Sequence, residues 1–157
     1  MAVDIFLRID GITGESQIAN FKGQIQLESF SFGANNVVSI GAVGGSGSGK
    51  VSFSPITVTK LPDTASPLLF LAVCQGARIA TATVSFVQSG ASTAYITFDL
   101  GTVVVSGLTP GVTNGVPVET VTLVCGSLKY SVVVLNAAGA VTNTVSDGWD
   151  ITKNMKL

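Results

Sequence analysis

The chain has 157 residues, of which 46% are hydrophobic and only 11% are charged, and its formal net charge is −1. It contains no histidine and no cluster of lysine and arginine. The composition therefore excludes histidine-based catalysis and argues against a nucleic-acid partner, which needs basic residues for phosphate neutralisation. Because the mean hydropathy is +0.58 and charge is so scarce, we expect much of the outer surface to face other protein.

The length and the distribution of apolar residues predict one domain over residues 1–157. No apolar run approaches the roughly 18 residues of a membrane-spanning helix, so we expect no stable membrane insertion. The N-terminus carries Asp4 and Arg8 where a signal peptide would have its apolar segment. We therefore expect the protein to be made in the cytoplasm.

The first two predicted strands differ in pattern. Residues 3–9 alternate, with Val3, Ile5, Leu7 and Ile9 on one face, which is typical of a half-buried strand. A second strand begins near Phe21, and its alternation changes phase near Glu28, which indicates a β-bulge or a barrel corner. The outward positions of this strand are Gln24, Gln26, Ser29 and Ser31.

Residues 39–50 are too rich in glycine to fold alone and are predicted to form a flexible connection. Gly44 to Lys50 has the spacing of a phosphate-binding loop. However, Val51 stands where a hydroxyl should hold magnesium, and a predicted strand with Pro55 follows instead of a helix. We expect no nucleotide site here, although long loops inside compact domains are usually functional.

The single convincing helix runs from about residue 66 to residue 76. We predict Ser66 as its N-cap, Pro67 as its first helical residue and Gly76 as the left-handed residue that closes it. Its sequence is apolar almost all the way round, so it must be covered on more than one side. Cys74 in this helix and Cys125 in a strand are predicted to be buried and reduced rather than paired with each other or bound to a metal.

The rest of the chain is predicted to be β-strand with one loop. Residues 80–86 and 95–100 alternate, Pro110-Gly111 and Asn114-Gly115 mark a loop, residues 118–135 form a long strand bent at Gly126, and residues 141–151 supply the last strand. Glu119 interrupts an apolar strand and is either solvated or satisfied by a partner, in a structural role. About eight strands and one helix indicate a mainly β fold, a tight barrel or a two-sheet sandwich.

Several segments together resemble the haemolysin-coregulated protein family, the inner-tube subunits of bacterial type VI secretion systems. The matching pieces, in family order, are Phe6-Leu7-Arg8-Ile9-Asp10-Gly11-Ile12 with Gly14-Glu15-Ser16, Ser29-Phe30-Ser31-Phe32-Gly33, Gly47-Ser48-Gly49-Lys50-Val51, Thr59-Lys60 with Asp63 and Ala65-Ser66-Pro67, Glu119-Thr120-Val121-Thr122-Leu123, and Gly148-Trp149-Asp150-Ile151. The chain departs from the family at Phe30 and Phe32, where tryptophan is common, and at the uncharged pair Cys125-Gly126.

The resemblance implies a tight β-barrel flanked by one helix, similar to phage tail-tube subunits. It implies that six copies close into a ring and that rings stack into a hollow tube. The tube is pushed from the cell inside a sheath behind a spike, carries effectors in its lumen and is itself secreted without a signal peptide. It further implies a structural protein and not an enzyme, with no cofactor, no metal and no catalytic residue.

Three groups of residues are the candidate functional sites. Gln24, Gln26, Ser29 and Ser31 either line the lumen or face solvent. The glycine loop is either the contact between rings or a disordered loop, and its candidate residues are Ile40, Gly41, Val43, Gly44, Gly45, Gly47, Gly49 and Lys50. The helix is expected to form the subunit interface through Leu69, Phe70 and Val73.

Two other functions remain open. One is a tail-tube protein of a phage or of an extracellular contractile particle, which the sequence barely separates from the first. The other is a small-ligand-binding barrel such as a lipocalin, which would need a roomy apolar interior. Many inward positions of this chain carry side chains large enough to fill such an interior.

Overall fold

A computed structural model describes residues 2–39 and 47–157. These residues form thirteen strands and one helix. The strands are β1 (Val3–Ile9), β2 (Ile25–Leu27), β3 (Ser29–Ser31), β4 (Ala34–Asn35), β5 (Val38–Ser39), β6 (Gly47–Ser48), β7 (Ser52–Phe53), β8 (Ile56–Lys60), β9 (Arg78–Gln88), β10 (Ala94–Thr113), β11 (Val116–Leu135), β12 (Val141–Asp150) and β13 (Met155–Lys156), and the helix is α1 (Ser66–Gln75). The excess over the eight predicted strands comes from five strands of only two residues, β4, β5, β6, β7 and β13. No helix in the described part of the chain is both long enough and apolar enough to cross a membrane.

One large antiparallel sheet dominates the fold, in the order β13-β12-β11-β10-β9-β1-β2. β8 pairs with β11 on one side and with β3 on the other, so the sheet rolls over its own apolar face. The prediction of a mainly β fold with one flanking helix is confirmed. Among residues 2–39 and 47–157 the hydrogen-bonded path does not close into a barrel, since β2 and β3 are joined only through the chain at Glu28.

The corner predicted near Glu28 is present. Before it, β2 pairs with β1; after it, β3 pairs with β8. The amide of Glu28 itself donates to the carbonyl oxygen of Thr59 at 2.7 Å, so the exchange of partners takes a single residue. The phase change in the sequence therefore reflects a change of neighbouring strand.

The loop predicted around Pro110-Gly111 and Asn114-Gly115 is instead the end of a long hairpin. β10 and β11 stay paired from Ile96 opposite Val132 to Thr113 opposite Val116. Asn114 and Gly115 have φ angles of 51° and 76°, the positive values of the two-residue turn that matches the twist of a hairpin. Pro110 is tolerated because β9 no longer borders β10 there, which makes β10 an edge strand.

A β-bulge interrupts this hairpin at Ser106. Val105 lies opposite Leu123 but Gly107 lies opposite Thr122, so Ser106 is an extra residue. Its hydroxyl donates to Oγ1 of Thr122 at 2.9 Å. Beyond the bulge Leu108 faces the core.

The core lies inside the rolled sheet and under the helix. It is one cluster of buried side chains that includes Leu7, Ile25, Ile56, Val58, Leu69, Val84, Leu100, Val103, Val121 and Leu123. The prediction that β1 buries only one face was incomplete, because Phe6 is also buried. Its ring stacks on Phe21 at 4.7 Å in a second, smaller cluster. The loop that carries Phe21 covers the outer face of β1.

Candidate assembly surfaces

The helix α1 buries one face and exposes the other. Ala65, Leu69 and Ala72 lie in the core and contact the rolled sheet, whereas Phe70 is 61% exposed. The exposed positions recur at helical spacing and carry no charge; we call this set the helix face, and it comprises Pro67, Leu68, Phe70, Leu71 and Cys74. An apolar surface of this kind on a subunit is typical of an oligomer interface.

The structure divides the three predicted interface residues. Phe70 lies on the helix face. Leu69 is 0% exposed and packs in the subunit's own core, so it offers no surface to a neighbour. Val73 is partly buried against the same core. Leu68 and Leu71, which the sequence analysis did not single out, are exposed instead.

The first turn of α1 is held by a side chain that plays a different role from the one predicted. The N-cap is Ala65, and Ser66 is already helical, so Pro67 is the second helical residue. The hydroxyl of Ser66 accepts from the amide of Asp63 at 3.0 Å and donates to Oε2 of Glu119 at 2.8 Å. Ser66 therefore ties the helix to β11 and does not cap it. The other end is as predicted, with Gly76 at φ 59°.

A group of charged and polar side chains lies at this turn, and we call it the ion cluster: Lys60 and Glu119, which are buried, with Asp63 and Ser66, which are partly buried. The ammonium of Lys60, which is 0% exposed, lies 2.9 Å from Oδ1 of Asp63, 2.9 Å from Oε2 of Glu119 and 3.0 Å from the hydroxyl of Ser66. Its three protons thus have three acceptors. The partner that Glu119 needs is supplied by its own chain. The cluster carries one positive and two negative charges beside the positive end of the helix dipole, which favours the excess negative charge.

The hairpin of β10 and β11 extends past its neighbours. β9 stops at Arg78 opposite Val104, and β8 stops at Lys60 opposite Glu119. Residues 111–118, which we call the projecting hairpin, lie beyond both ends and pair only with each other. Val112 at its end is 70% exposed.

A second apolar surface lies on β11 and β12. Val132 pairs with Val145, and Tyr130 and Val134 lie on the same face two residues to either side. The set Tyr130, Val132, Val134 and Val145 is exposed, and we call it the sheet face. It continues the core, because the ring of Tyr130 stacks on Phe98 at 4.4 Å, and Phe98 belongs to an aromatic group with Phe30, Phe32 and Phe86.

The predicted outward positions on β2 and β3 are mostly exposed. Gln26, Ser29 and Ser31 face away from the core, while Gln24 is half-buried and its Oε1 atom has no hydrogen-bond partner in the described structure. Register adds residues that the sequence did not single out, because Ser29 lies opposite Thr59 and Ser31 opposite Thr57. Thr57 and Thr59 in turn lie opposite Thr122 and Thr120. The outer face of these strands, which we call the hydroxyl face, comprises Ser29, Ser31, Thr57, Thr59, Thr120 and Thr122.

The flanks of the glycine loop pair with each other, which corrects the prediction of a flexible connection throughout residues 39–50. Ala34 lies opposite Phe53, Val38 lies opposite Ser48, and the amide of Gly49 donates to the carbonyl oxygen of Val37 at 3.0 Å. Residues 34–39 and 47–53 therefore pair with each other, and we call these two flanks the arm. Val37 and Lys50 on it are exposed. Of the candidate residues, Gly47, Gly49 and Lys50 are described, and Ile40, Gly41, Val43, Gly44 and Gly45 lie outside the described residues.

The two cysteines are free thiols in different environments. Cys74 lies on the helix face and is exposed, so the prediction that it is buried was wrong for the single subunit. Cys125 is half-buried beside an apolar cleft of about 230 Å³ lined in part by Phe32, Val51 and Leu128. Burial raises the pKa of the Cys125 thiol to about 11. Cys74 is exposed because the rest of the subunit covers only one side of the helix.

The described residues also form surface clefts. A cleft of about 390 Å³ at the base of the arm is lined by Phe53, Trp149 and Asn154 among others. Within residues 2–39 and 47–157, no group of three or more acidic, cysteine or histidine side chains is placed to hold a metal ion. What distinguishes the described surface is its two apolar faces.

Comparison with known proteins identifies the family. The family model described as "Type VI secretion system effector, Hcp" matches residues 6–131. A solved structure of a type six secretion system protein superposes with a TM-score of 0.91 at 28% identity, covering 99% of this chain and 100% of that chain. The crystal structure of Hcp1 from Salmonella typhimurium gives 0.83 at 28% identity, covering 100% of both chains. A type VI secretion system effector from Yersinia pestis, 22% identical, shows the same fold with a TM-score of 0.73 over 93% of this chain and 98% of that chain.

No match was found among the curated proteins. The family model nevertheless spans most of the chain, and both structures at 28% identity are covered over their full length. The chain therefore belongs to the Hcp family, the tube subunits of type VI secretion systems.

Proposed function

We propose that this chain closes into a hexameric ring in which the helix face of one copy contacts the sheet face of the next. Proteins of the Hcp family form ring-like assemblies. The observation that carries the proposal is the presence of two exposed apolar faces without charge at their centres, on different elements of one subunit. A contact between two different faces is heterologous, and such contacts close into rings when the rotation between copies allows it.

The hydroxyl face is our candidate for the surface that lines the bore of the ring. Its serine and threonine side chains are small and uncharged, and they span three neighbouring strands. A wall of this kind offers no apolar patch and no fixed charge to hold a passing protein. We propose that this face, together with Gln26, lines the lumen through which effectors are carried.

The arm is our candidate for the contact between stacked rings. Val37 and Val38 are exposed on it, and its flanks are held together by backbone pairing. Fixing a glycine-rich segment costs about 1–2 kcal/mol per residue, which a contact with another subunit would offset. Because each ring repeats the contact in every copy, a weak interaction per copy suffices for stacking.

The proposed roles of the tube and of its partners build on this assembly. The stacked rings form a hollow tube that is propelled from the cell within a sheath, carries effectors, and is itself secreted. The protein acts by assembly and carries out no reaction, with no cofactor or metal. Its partners are further copies of itself, the sheath, the spike and the effectors.

The ring contact is tested by placing one charge on each face. Phe70→Glu and Val145→Glu should each leave the subunit folded, because both side chains are exposed, and should reduce the mass seen by light scattering from a ring to a monomer. Thr144→Glu is the matched control, since Thr144 is exposed on the opposite face of β12 next to Val145. Rings that persist in both face variants would rule out this contact.

A further inference from the structure

We propose that the ion cluster of Lys60, Asp63, Ser66 and Glu119 positions the projecting hairpin relative to the helix, so that a subunit presents both to its neighbours at one fixed angle. The inference rests on the proposed assembly and adds which interactions fix the geometry of the subunit for it. Glu119 is thus a positioning residue for assembly.

The connectivity places the cluster at a junction between two surfaces. Glu119 lies opposite Lys60 on β8 and opposite Pro110 on β10, so it marks the base of the projecting hairpin. Ser66 is the first residue of α1 and precedes the helix face. The hydrogen bond from the Ser66 hydroxyl to Glu119 Oε2, at 2.8 Å, joins these two elements directly.

The hydrogen bonding of the cluster leaves little freedom. The ammonium of Lys60 uses its three donors on three different residues. Oδ1 of Asp63 also accepts from the amide of Ala65 at 3.0 Å, and the Ser66 hydroxyl also accepts from the amide of Asp63. Any rotation of the hairpin base relative to the helix would break a hydrogen bond to a buried charge. Leaving a buried charge without its partner is costly in an environment of low polarity.

The cluster is poorly suited to stabilising the fold alone. Replacing a buried ion pair by side chains of similar shape is often neutral for stability, because the cost of desolvating the charges offsets their attraction. What a saturated, directional network adds is a single arrangement of the parts it connects. The projecting hairpin needs this, since residues 111–118 pair with no other described strand.

The test compares the variant Lys60→Met/Asp63→Asn/Glu119→Gln with the control Arg8→Met/Asp10→Asn, which removes an exposed pair joined at 3.0 Å. Thermal unfolding measures whether each variant folds. Sedimentation measures the protein concentration at half-assembly. In a Cys74→Ala/Cys125→Ala background, spin labels at Val112→Cys and Gln75→Cys in dilute monomer measure the distance from hairpin to helix.

The expected result is a cluster variant that unfolds near the temperature of the parent but needs at least about tenfold more protein for half-assembly. Its distance distribution should broaden while that of the control stays narrow. A folded cluster variant with the parent's half-assembly concentration would overturn the inference. If the triple variant does not fold, Glu119→Gln alone decides: loss of folding there shows a purely structural role, and assembly like that of the parent also overturns the proposal.

Failure of the proposed ring can be distinguished from failure of this inference. A parent chain that stays monomeric at every concentration contradicts ring formation. The label distances are measured in monomers and still report whether the cluster fixes the hairpin.

Discussion

The ammonium of Lys60 lies 2.9 Å from Oε2 of Glu119, although 59 positions separate the two residues in the chain. Both side chains are buried, and the two residues lie opposite each other on neighbouring strands. Each therefore supplies a counter-charge to the other. Glu119→Ala would leave Lys60 with Asp63 and Ser66 but without this carboxylate, and buried pairs broken in this way lose about 3–5 kcal/mol. We expect a fall of that order in the free energy of unfolding, measured by urea denaturation.

The matched measurement uses the exposed pair of Arg8 and Asp10, which are joined at the similar distance of 3.0 Å. Asp10→Ala should change the free energy of unfolding by no more than about 1 kcal/mol, because exposed pairs are solvated. Equal effects at Glu119 and Asp10 would mean that burial of the cluster has no energetic consequence.

The helix allows the core contribution to be separated from the assembly contribution. Leu69→Ala removes a side chain that is fully buried, and we expect a loss of about 2–5 kcal/mol in the free energy of unfolding. Leu71→Ala on the helix face should cost the isolated subunit much less and should weaken the ring. Urea denaturation and sedimentation of both variants check this, and the opposite order of effects would contradict the assignment of the two faces.

The thiols should report on assembly. In the monomer, a thiol reagent should label Cys74 rapidly and Cys125 slowly, because only Cys74 is exposed. When rings form, labelling of Cys74 should slow if the helix face is covered by a neighbour. Unchanged labelling of Cys74 in purified rings, followed by mass spectrometry, would place the helix outside the subunit contact.

Cys125 should also give stability a dependence on alkaline pH. Burial raises its pKa from 9.0 to about 11, so the folded chain holds the proton more tightly than the unfolded chain. Its contribution to the free energy of unfolding is complete below pH 9 and is lost as the pH rises towards 11. Comparing the pH dependence of the parent with that of Cys125→Ala isolates this effect, and parallel curves would contradict it.

The hairpin turn gives a matched pair of glycines. Gly115 has a φ of 76°, whereas Gly111 has open space around its Cα and no positive φ. Gly115→Ala should lower the free energy of unfolding by about 1–2 kcal/mol because of the left-handed backbone, while Gly111→Ala should be neutral or slightly stabilising. Thermal unfolding of the two variants is the measurement, and equal effects would argue against this turn.

The arm should be separable from the fold. Deleting residues 41–45 leaves two residues between Ser39 and Gly47, the length of a tight hairpin turn, so the pairs of Val38 with Ser48 and of Ser39 with Gly47 can be kept. We expect the deletion variant to fold and form rings but not tubes, as judged by electron microscopy, and to be retained by the cell. Normal tubes from this variant would move the stacking contact to another surface.

Local features were predictable from the sequence. The end of the helix follows from Gly76, and its start follows from Pro67 to within one residue, although Ser66 is the first helical residue and not the N-cap. The corner at Glu28 follows from a change in alternation. Each signal lies within a few residues of the structure it specifies. The turn at Asn114-Gly115 also carries a local signal. Pro110 nevertheless favours a loop there, because proline argues against a strand unless the strand is known to lie at an edge.

Non-local features were not predictable in the same way. The ion cluster depends on the register that places Lys60 opposite Glu119, which no spacing along the chain specifies. The hydroxyl face depends on the same register, so Thr57 and Thr120 could not be assigned to it from alternation alone. The sheet face was missed because Val132 and Val145 have the pattern of core residues and are exposed only because the strands extend beyond the core.

The bulge at Ser106 has a consequence for how this family member can change in length. Since side chains alternate along a strand, Val105 and Leu108 can both face the core from three positions apart only because the bulge absorbs one residue between them. Removing Ser106 would leave Gly107 opposite Thr122 and Leu108 opposite Val121, so the strand would lose the bulge but keep its orientation. Removing one residue beyond the bulge, where nothing absorbs the change, would turn every later side chain of the strand to the opposite side. Adding or removing two residues nearer the turn would preserve every orientation. The projecting hairpin is therefore free to vary in reach only in steps of a residue pair.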